Sequence, residues 1–323
     1  MNHRHLTPLA AAAVALSALL SAAPAAAQST VTLYGRINTT VESQKTSAGR
    51  VTAVQNNSSR WGLRGTEDLG SGLKAGFKLE SGVSSDTGQG NATGGGLTFT
   101  RGAEVNLSGG FGMLRMGRMF SEAYFATADY ISNHNHDTGT SSDALYAYLA
   151  RDTNKFSYRL PEFVKGTTVE IGTSLKEGVA GASNTTDVAI NSDLGAVQLG
   201  FGYQKDGRAN QYALRAFVPM GALGLGAYVQ RDKNAWGVAG SRTNVRFSGM
   251  YTAGASEFHV NVGSAGKIGS TANSKARQYT LAYNHNLSKR TKLYGFYTKL
   301  DDGAARVYGG DFSSLAAGIR HNF

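Results

Sequence analysis

SSLAAGIRHNF, residues 313–323, decides the fold. Leu315, Ala317, Ile319, His321 and Phe323 fall on one side of an extended strand, with Ala316, Gly318, Arg320 and Asn322 on the other. This is a period-two pattern that ends on an aromatic residue. A last strand in a soluble protein is free to fray and has no need of a terminal Phe. In a closed membrane barrel the last strand must pair with the first, and an aromatic at its end sits at the lipid interface. The partner is predicted just after an N-terminal leader, where Val31, Leu33, Gly35 and Ile37 alternate with Thr32, Tyr34, Arg36 and Asn38.

The leader covers residues 1–27. It has a short basic start (His3, Arg4, His5), an apolar run from Leu9 to Leu20, and the small residues Ala25, Ala26 and Ala27 before the cut. That is the pattern of a secretory signal peptide cleaved after Ala27, leaving 28–323 as one barrel domain. No later segment approaches the roughly 18–20 apolar residues of a spanning helix. Hydrophobic residues are only 41% of the chain, which suits a barrel in which every second strand residue faces lipid. With 42 Gly and 4 Pro, tight turns and kinked strands are favoured over a disordered tail. The absence of Cys excludes disulfides and thiolate metal sites. Lys and Arg number 32 against 22 Asp and Glu; losing Arg4 with the signal leaves 31 against 22.

Reading along the chain, a polar stretch at 43–58, rich in Ser, Thr, Asn and Gln, is predicted as a loop. Strands at 59–68 and 73–81 then form a hairpin with one apolar and one charged face. A polar loop at 82–96 leads into strands 97–107 and 113–120. The longest connection, 121–152, is distinct in composition: Glu122, Asp129, Asp137, Asp143 and Asp152 with Arg151 as its one basic residue. Further strands are predicted at 154–160, 166–175, 188–193, 197–204, 211–218, 223–230, 244–252, 257–263, 277–284, 291–300 and 313–323, which makes 16 with the strand at 31–38. The strand from Thr291 is ambiguous in phase, with Leu293 and Tyr297 on one face and Tyr294 and Phe296 on the other. An even count, with short turns at one end and long loops at the other, predicts an all-β, 16-stranded antiparallel transmembrane β-barrel. A soluble β-sandwich is the competing fold. It needs a dry side at every strand, yet Lys78, Glu80, Arg159, Arg215 and Arg246 sit mid-strand or near it.

Several stretches also resemble a known family. STVTLYGRI at 29–37, SRWGLRGTEDLGSGLKAGFKLESG at 59–82, GMLRMGRMF at 112–120, KFSYRLPEF at 155–163, YNHNLSKRTKLYGFY at 283–297 and GIRHNF at 318–323 are similar to the general porins of Gram-negative bacteria, in the beta-proteobacterial branch. The resemblance spans the mature chain in order. It implies a homotrimer of outer-membrane barrels, a third long loop folded inward so that 121–152 narrows the pore, and a terminal Phe323 read by the assembly machinery. It further implies outer-membrane lipid and lipopolysaccharide as surroundings, and small hydrophilic solutes and inorganic ions as cargo.

If Leu33, Trp61, Phe77, Phe156, Tyr158, Leu199, Leu214, Phe247, Val260 and Leu281 face lipid, their neighbours face the lumen. A basic pore wall is therefore predicted from Arg36, Arg60, Arg115, Lys155, Arg159, Arg215 and Arg246, with Arg64, Lys74 and Lys78 in the same phase. Arg118 falls out of that phase, and only the resemblance sets it beside the constriction. Glu122, Asp129, Asp137 and Asp143 are the acidic residues assigned to the constricting loop. The basic excess predicts passive diffusion with a weak preference for anions. A structural or adhesin-type barrel without channel function is the alternative.

Other chemistry is thin. His134 and His136 lie near Asp129 and Asp137, a spacing that ordinary loop composition also produces. Ser248, His259 and Asn261 are the nearest approach to a hydrolytic set, without a nucleophile motif. No phosphate loop or dinucleotide fingerprint follows a strand–helix pattern. No enzyme activity, cofactor or metal is predicted, and the basic residues are too dispersed for a nucleic-acid stripe.

Overall fold

The computed structural model describes residues 30–91, 95–129, 139–303 and 310–323. The signal peptide predicted at 1–27, and with it His134, His136 and Asp137, lie outside them. The wall strands are β1 (Thr30–Thr46), β2 (two segments, Gly49–Asn56 and Arg60–Gly70), β3 (Leu73–Gly82), β4 (Gly102–Gly109), β5 (Gly112–Arg118), β6 (Lys155–Arg159), β7 (Thr167–Ser174) and β8 (Thr185–Asp193). The remainder are β9 (Gln198–Asp206), β10 (Ala209–Met220), β11 (Leu223–Lys233), β12 (Ser241–Ala253), β13 (Ser256–Ala265), β14 (Ala276–Asn286), β15 (Thr291–Asp302) and β16 (Phe312–Asn322). Both segments of β2 pair with β1, so seventeen strand segments make sixteen wall positions. Every neighbour in sequence is an antiparallel neighbour in space, and β1 also pairs with β16. The sheet is a closed, 16-stranded antiparallel barrel.

Closure is made by ten residue pairs, from Arg36↔Asn322 to Lys45↔Ser313. Two further backbone bonds extend it to the last residue: Gly35 N–H to the Phe323 carbonyl at 3.0 Å, and Phe323 N–H to the Gly35 carbonyl at 3.1 Å. The Phe323 ring lies over Gly35, where a Cβ would come within 2.3 Å of the ring. Phe77 covers Gly65 in the same manner, at 2.4 Å. The space left by these two glycines is thus filled by rings of the same chain.

Alternation separates two rows. Leu33, Phe77, Phe156, Leu199, Leu214, Phe247, Val260 and Leu281 are all exposed, as an apolar band meeting lipid must be in an isolated barrel. The intervening row is polar and largely buried, including Asn38, Glu42, Glu80, Gln204, Gln211, Gln230, Asn244 and Gln278. The phase of β15 is settled by this division. Leu293 and Tyr297 are exposed, while Tyr294 and Phe296 are buried with Ala316 on the polar row. Tyr294 donates to Asn38 Oδ1 at 2.7 Å.

The polar stretch 43–58 differs from its sequence reading. It is not a loop: β1 runs on to Thr46, turns at Ser47 and Ala48, and returns as Gly49–Asn56. Composition suggested solvent, but Thr and Val at alternate positions suit a pleated ladder, and the backbone pairs accordingly. The real interruption is at 57–59. There Asn38 bridges the gap, with its N–H donating to Ser59 Oγ at 3.0 Å and its Nδ2 to the Asn57 carbonyl at 2.9 Å. Residues 97–101 are likewise outside the strand, which begins at Gly102.

The seam yields a test. Gly35→Val should lower the fraction of folded, heat-modifiable barrel on gels, because its side chain displaces the Phe323 ring. Combining it with Phe323→Ala should recover part of the loss. Equal defects in the single and double variants would show that the ring-over-glycine contact is unimportant.

Candidate functional site

The site is built where segment 121–152 meets the polar row. Ser121 caps a short helix, α1 (Glu122–Tyr124), by accepting from the Ala123 N–H at 3.2 Å; a π-helical turn, Phe125–Asp129, follows. Gly200 and Gly202 of β9 make the close approach possible. A Cβ at Gly200 would stand 2.0 Å from the Ala126 carbonyl oxygen, and one at Gly202 would stand 2.6 Å from that of Ala123. Larger residues at either position would push the helical turn off the wall.

Glutamines of the polar row secure residues 144–149. Ala144 and Ala147 N–H groups donate to Gln278 and Gln230 Oε1 at 3.0 and 2.8 Å, and Leu149 N–H donates to Gln204 Oε1 at 2.9 Å. Thr140 donates to Glu42 of β1 at 2.7 Å, so the segment is tied to the first strand as well as to β9–β14. Tyr146 and Tyr228 meet edge to face at 5.6 Å, beside Ala128 and Ala213. Burial pushes the Tyr146 phenol up to about 12, and burial with the nearby Asp152 carboxylate raises Tyr148 as well. Both phenols therefore stay neutral hydrogen-bonding groups at ordinary pH. Tyr148 uses its hydroxyl to donate to Asp152 Oδ1 at 2.5 Å.

Most of the predicted basic ladder is engaged in these contacts. Arg115 reaches Glu104 at 2.9 Å, Glu122 at 2.7 Å and Glu170 at 3.0 Å. Arg159 joins the cluster at 2.8 Å from Glu170 and 3.3 Å from Glu122. Arg246 pairs with Asp143 at 2.7 Å, with both side chains at most 1% exposed, and Tyr228 donates to the same carboxylate. Arg215 donates to the Ala126 carbonyl at 2.9 Å. Lys155 is buried against Asp187 at 2.6 Å. Arg36 donates to Asn322 Oδ1 at 3.0 Å, close to the closure seam. The register sets Arg118 opposite Ala103 on the apolar row, away from Arg115, with its Nε donating to the Thr100 carbonyl.

A different set borders open space. A cavity of about 670 Å³ is lined by Arg60, Lys78 and Arg101 together with Phe120, Tyr124, Phe125, Tyr146 and Tyr148, and the Arg101 guanidinium lies over the Phe120 ring at 5.3 Å. Glu80, Asp129 and Asp143 also line it. Glu80 sits between Arg101 at 2.8 Å and Lys78 at 3.3 Å and accepts from Tyr34 at 2.9 Å. With Asp143 matched by Arg246, three cations stand against Glu80 and Asp129, so the described lining is net positive. The sequence reading set Arg101 inside the strand predicted at 97–107, but that strand begins at Gly102, so the alternation drawn through 97–101 does not apply to it. Lys78 was readable by phase alone. Among the described residues, no group of three or more His, Asp or Glu side chains could hold a metal ion.

This architecture is that of a membrane-spanning β-barrel with a polar, charge-lined interior. The sequence model for the Gram-negative porin matches residues 10–305, and the chain belongs to that family. Outer membrane porin protein 32 of Delftia acidovorans is 32% identical over 364 residues, covering 96% of this chain and 99% of that protein. An outer membrane porin protein of Bordetella pertussis is 28% identical over 382 residues, covering 94% of this chain and 96% of that one. Among solved structures, the anion-selective porin from Comamonas acidovorans superposes with a TM-score of 0.76 at 29% identity, covering 92% of this chain and 100% of that one. The chain is thus a multi-pass outer-membrane protein of the beta-proteobacterial porin branch, a channel for passive diffusion and not an enzyme. Its surroundings are outer-membrane lipid and lipopolysaccharide, and outer-membrane assembly machinery inserts it.

Removing one partner of a buried ion pair typically costs about 3–5 kcal/mol, because the other charge is left without compensation. Arg246→Gln should therefore lower the unfolding midpoint and make single-channel current noisier, as 143–147 lose their anchor. The double variant Arg246→Gln/Asp143→Asn should be less affected than the single. Unchanged noise and an unchanged midpoint in Arg246→Gln would remove the anchoring role.

Proposed function

We propose that the barrel is a water-filled, weakly anion-selective diffusion pore in which segment 121–152 lies within the lumen and narrows it, and that it works as a homotrimer. The observation that carries the reading is the cavity that Arg60, Lys78 and Arg101 line together with Tyr124, Phe125, Asp129, Tyr146 and Tyr148 of segment 121–152. Low-dielectric walls focus the field of these cations into the remaining aperture. The glutamine, arginine and Glu42 bonds from the polar row to 121–149 support a segment held inside the barrel. The name of the Comamonas acidovorans structure, an anion-selective porin, supports the sign of the preference.

In this reading the predicted basic residues divide by task. Arg60, with Lys78 and Arg101, attracts the permeating anion. Arg115, Arg159, Arg215 and Arg246 hold the constricting segment through Glu122, the Ala126 carbonyl and Asp143. Asp129 remains the acidic residue facing the aperture from the segment side. Uncovered small residues on the apolar row, Ala75 and Ala317, suit close approach of neighbouring barrels. The signal peptide at 1–27 directs export, and Phe323 serves as the assembly signal.

Zero-current potential across a planar bilayer in a salt gradient should report anion preference. At about 0.15 M salt the screening length is about 8 Å, so the preference should be partial and weaken as salt rises. Arg60→Gln/Arg101→Gln should move the potential toward cations. Arg115→Gln/Arg159→Gln should do so too, because Glu104, Glu122 and Glu170 are left unpaired, and should add current noise. A cation-selective wild type, or an unmoved potential in Arg60→Gln/Arg101→Gln, overturns the assignment.

Because the chain has no Cys, Asp129→Cys introduces a single thiol. A water-soluble thiol reagent should then block the current in three equal steps. An insensitive current argues against a lumenal segment, and a single complete step argues against the trimer.

A further inference from the structure

The wall row inside the barrel is polar, with Gln204, Gln211, Gln230, Gln278 and Asn244 among its buried members, yet the cavity beside Arg60, Lys78 and Arg101 is bordered by rings. These rings form one run. Phe120 meets Phe125 edge to face at 6.1 Å, Phe125 meets Tyr124 at 5.6 Å, and Tyr124 meets Tyr148 at 5.4 Å. Phe120, Tyr124 and Phe125 are only half-buried and Tyr148 is 36% exposed, so the run is not a closed core. The Tyr148 hydroxyl is engaged by the protein, donating to Asp152 Oδ1 and accepting from the Ser121 N–H at 3.1 Å. What Tyr148 offers the cavity is therefore ring rather than phenol. Contiguous apolar surface left open in this way marks a place where something binds.

The cations of the same cavity complete the site. Lys78 and Arg101 flank Glu80 at 3.3 and 2.8 Å, and the Glu80 side chain is 6% exposed against 37% and 21% for the two cations. A solute therefore meets the ammonium and the guanidinium before the carboxylate between them. Arg101 engages Glu80 through Nε, which leaves the terminal amino groups of its planar guanidinium for a two-oxygen acceptor. The same guanidinium lies over the Phe120 ring at 5.3 Å, so charge and aromatic face are presented side by side. We infer that the cavity binds aromatic monocarboxylates, with the carboxylate held by Arg101 and Lys78 and the ring set against Phe120 and Phe125; this rests on the pore reading above and names the class of solute the pore retains. A single carboxylate is the match because the described lining carries one positive charge in excess. Acetate or an inorganic anion uses the cations alone, and a neutral ring uses the aromatic run alone. Only a solute with both features uses the whole lining.

The test uses the full barrel in mild detergent at neutral pH, with benzoate, acetate, cyclohexanecarboxylate and benzyl alcohol as probes. Binding is titrated by ligand-observed NMR against empty micelles, and folding is checked by heat-modifiable gel mobility. Wild type should bind benzoate about tenfold more tightly than acetate or benzyl alcohol, and about threefold more tightly than cyclohexanecarboxylate, which has the same charge but no π face. Phe120→Leu/Phe125→Leu should bring benzoate down to the level of acetate, and Lys78→Gln/Arg101→Gln should bring it down to that of benzyl alcohol. In planar bilayers, benzoate should reduce the wild-type chloride current at concentrations where acetate does not. Equal binding of benzoate and acetate, equal binding of benzoate and cyclohexanecarboxylate, or undiminished benzoate binding in the folded ring variant overturns the proposal and reduces the run to packing for segment 121–152. Should the variants not fold, the order of the four probes on wild type decides the matter alone. An anion-selective chloride current without a preference for benzoate overturns this site and leaves the pore reading standing. The benzoate preference in a cation-selective channel supports the site and overturns the pore reading instead.

Discussion

Hydrocarbon offers no partner for a backbone N–H or C=O, and each unsatisfied group there costs several kcal/mol. The whole structure depends on that constraint. Every strand must be paired on both sides, so the sheet has to return to its start, and β1 must meet β16. The seam is long and carried to the last residue, where Gly35 and Phe323 exchange two backbone bonds and a ring covers the glycine. Once closed, a period-two strand has one row for lipid and one for the interior. Polar and charged side chains on the second row are then obligatory features of a water-filled barrel.

The interior row supports two kinds of positive charge. Arg115, Arg159 and Arg246 lie within 3.3 Å of carboxylates of segment 121–152, and Arg246 with Asp143 is withdrawn from solvent altogether. Such pairs set geometry, and their outward field is largely cancelled. Arg60, Lys78 and Arg101 border open space and share Glu80 and Asp129 as opposing charges. Net charge over the chain therefore says less about the pore than the partition between anchored and exposed cations.

Fit at backbone level makes the anchoring possible. Gly200 and Gly202 leave room for the Ala126 and Ala123 carbonyls, and Gln204, Gln230 and Gln278 meet backbone N–H groups of the segment. A segment with only one basic residue of its own is thus secured by cations and amides of the wall. The aromatic side chains Tyr124, Tyr146 and Tyr148 pack edge to face, and give it a small core.

Alternation in the chain by itself determined the closed barrel, its sixteen strands and the assignment of Leu33, Phe77, Leu214 and Phe247 to the lipid face. These are local properties: a period of two and an aromatic end are written in consecutive residues. The same reasoning misread 43–58, because polar composition is shared by loops and by strands that rise clear of the hydrocarbon. It also carried the strand predicted at 97–107 through Arg101, which lies just before the real one, and it left open the phase of β15, where both rows carry large side chains. Phase identified Arg115, Arg159, Arg215 and Arg246 as facing inward, but not what each would meet there. That depends on residues far along the chain, such as Asp143 beside Arg246 and the Ala126 carbonyl beside Arg215. Only the tertiary structure brings those groups together, because the bonds form after closure has fixed the wall and are set by three-dimensional clearance rather than by sequence period.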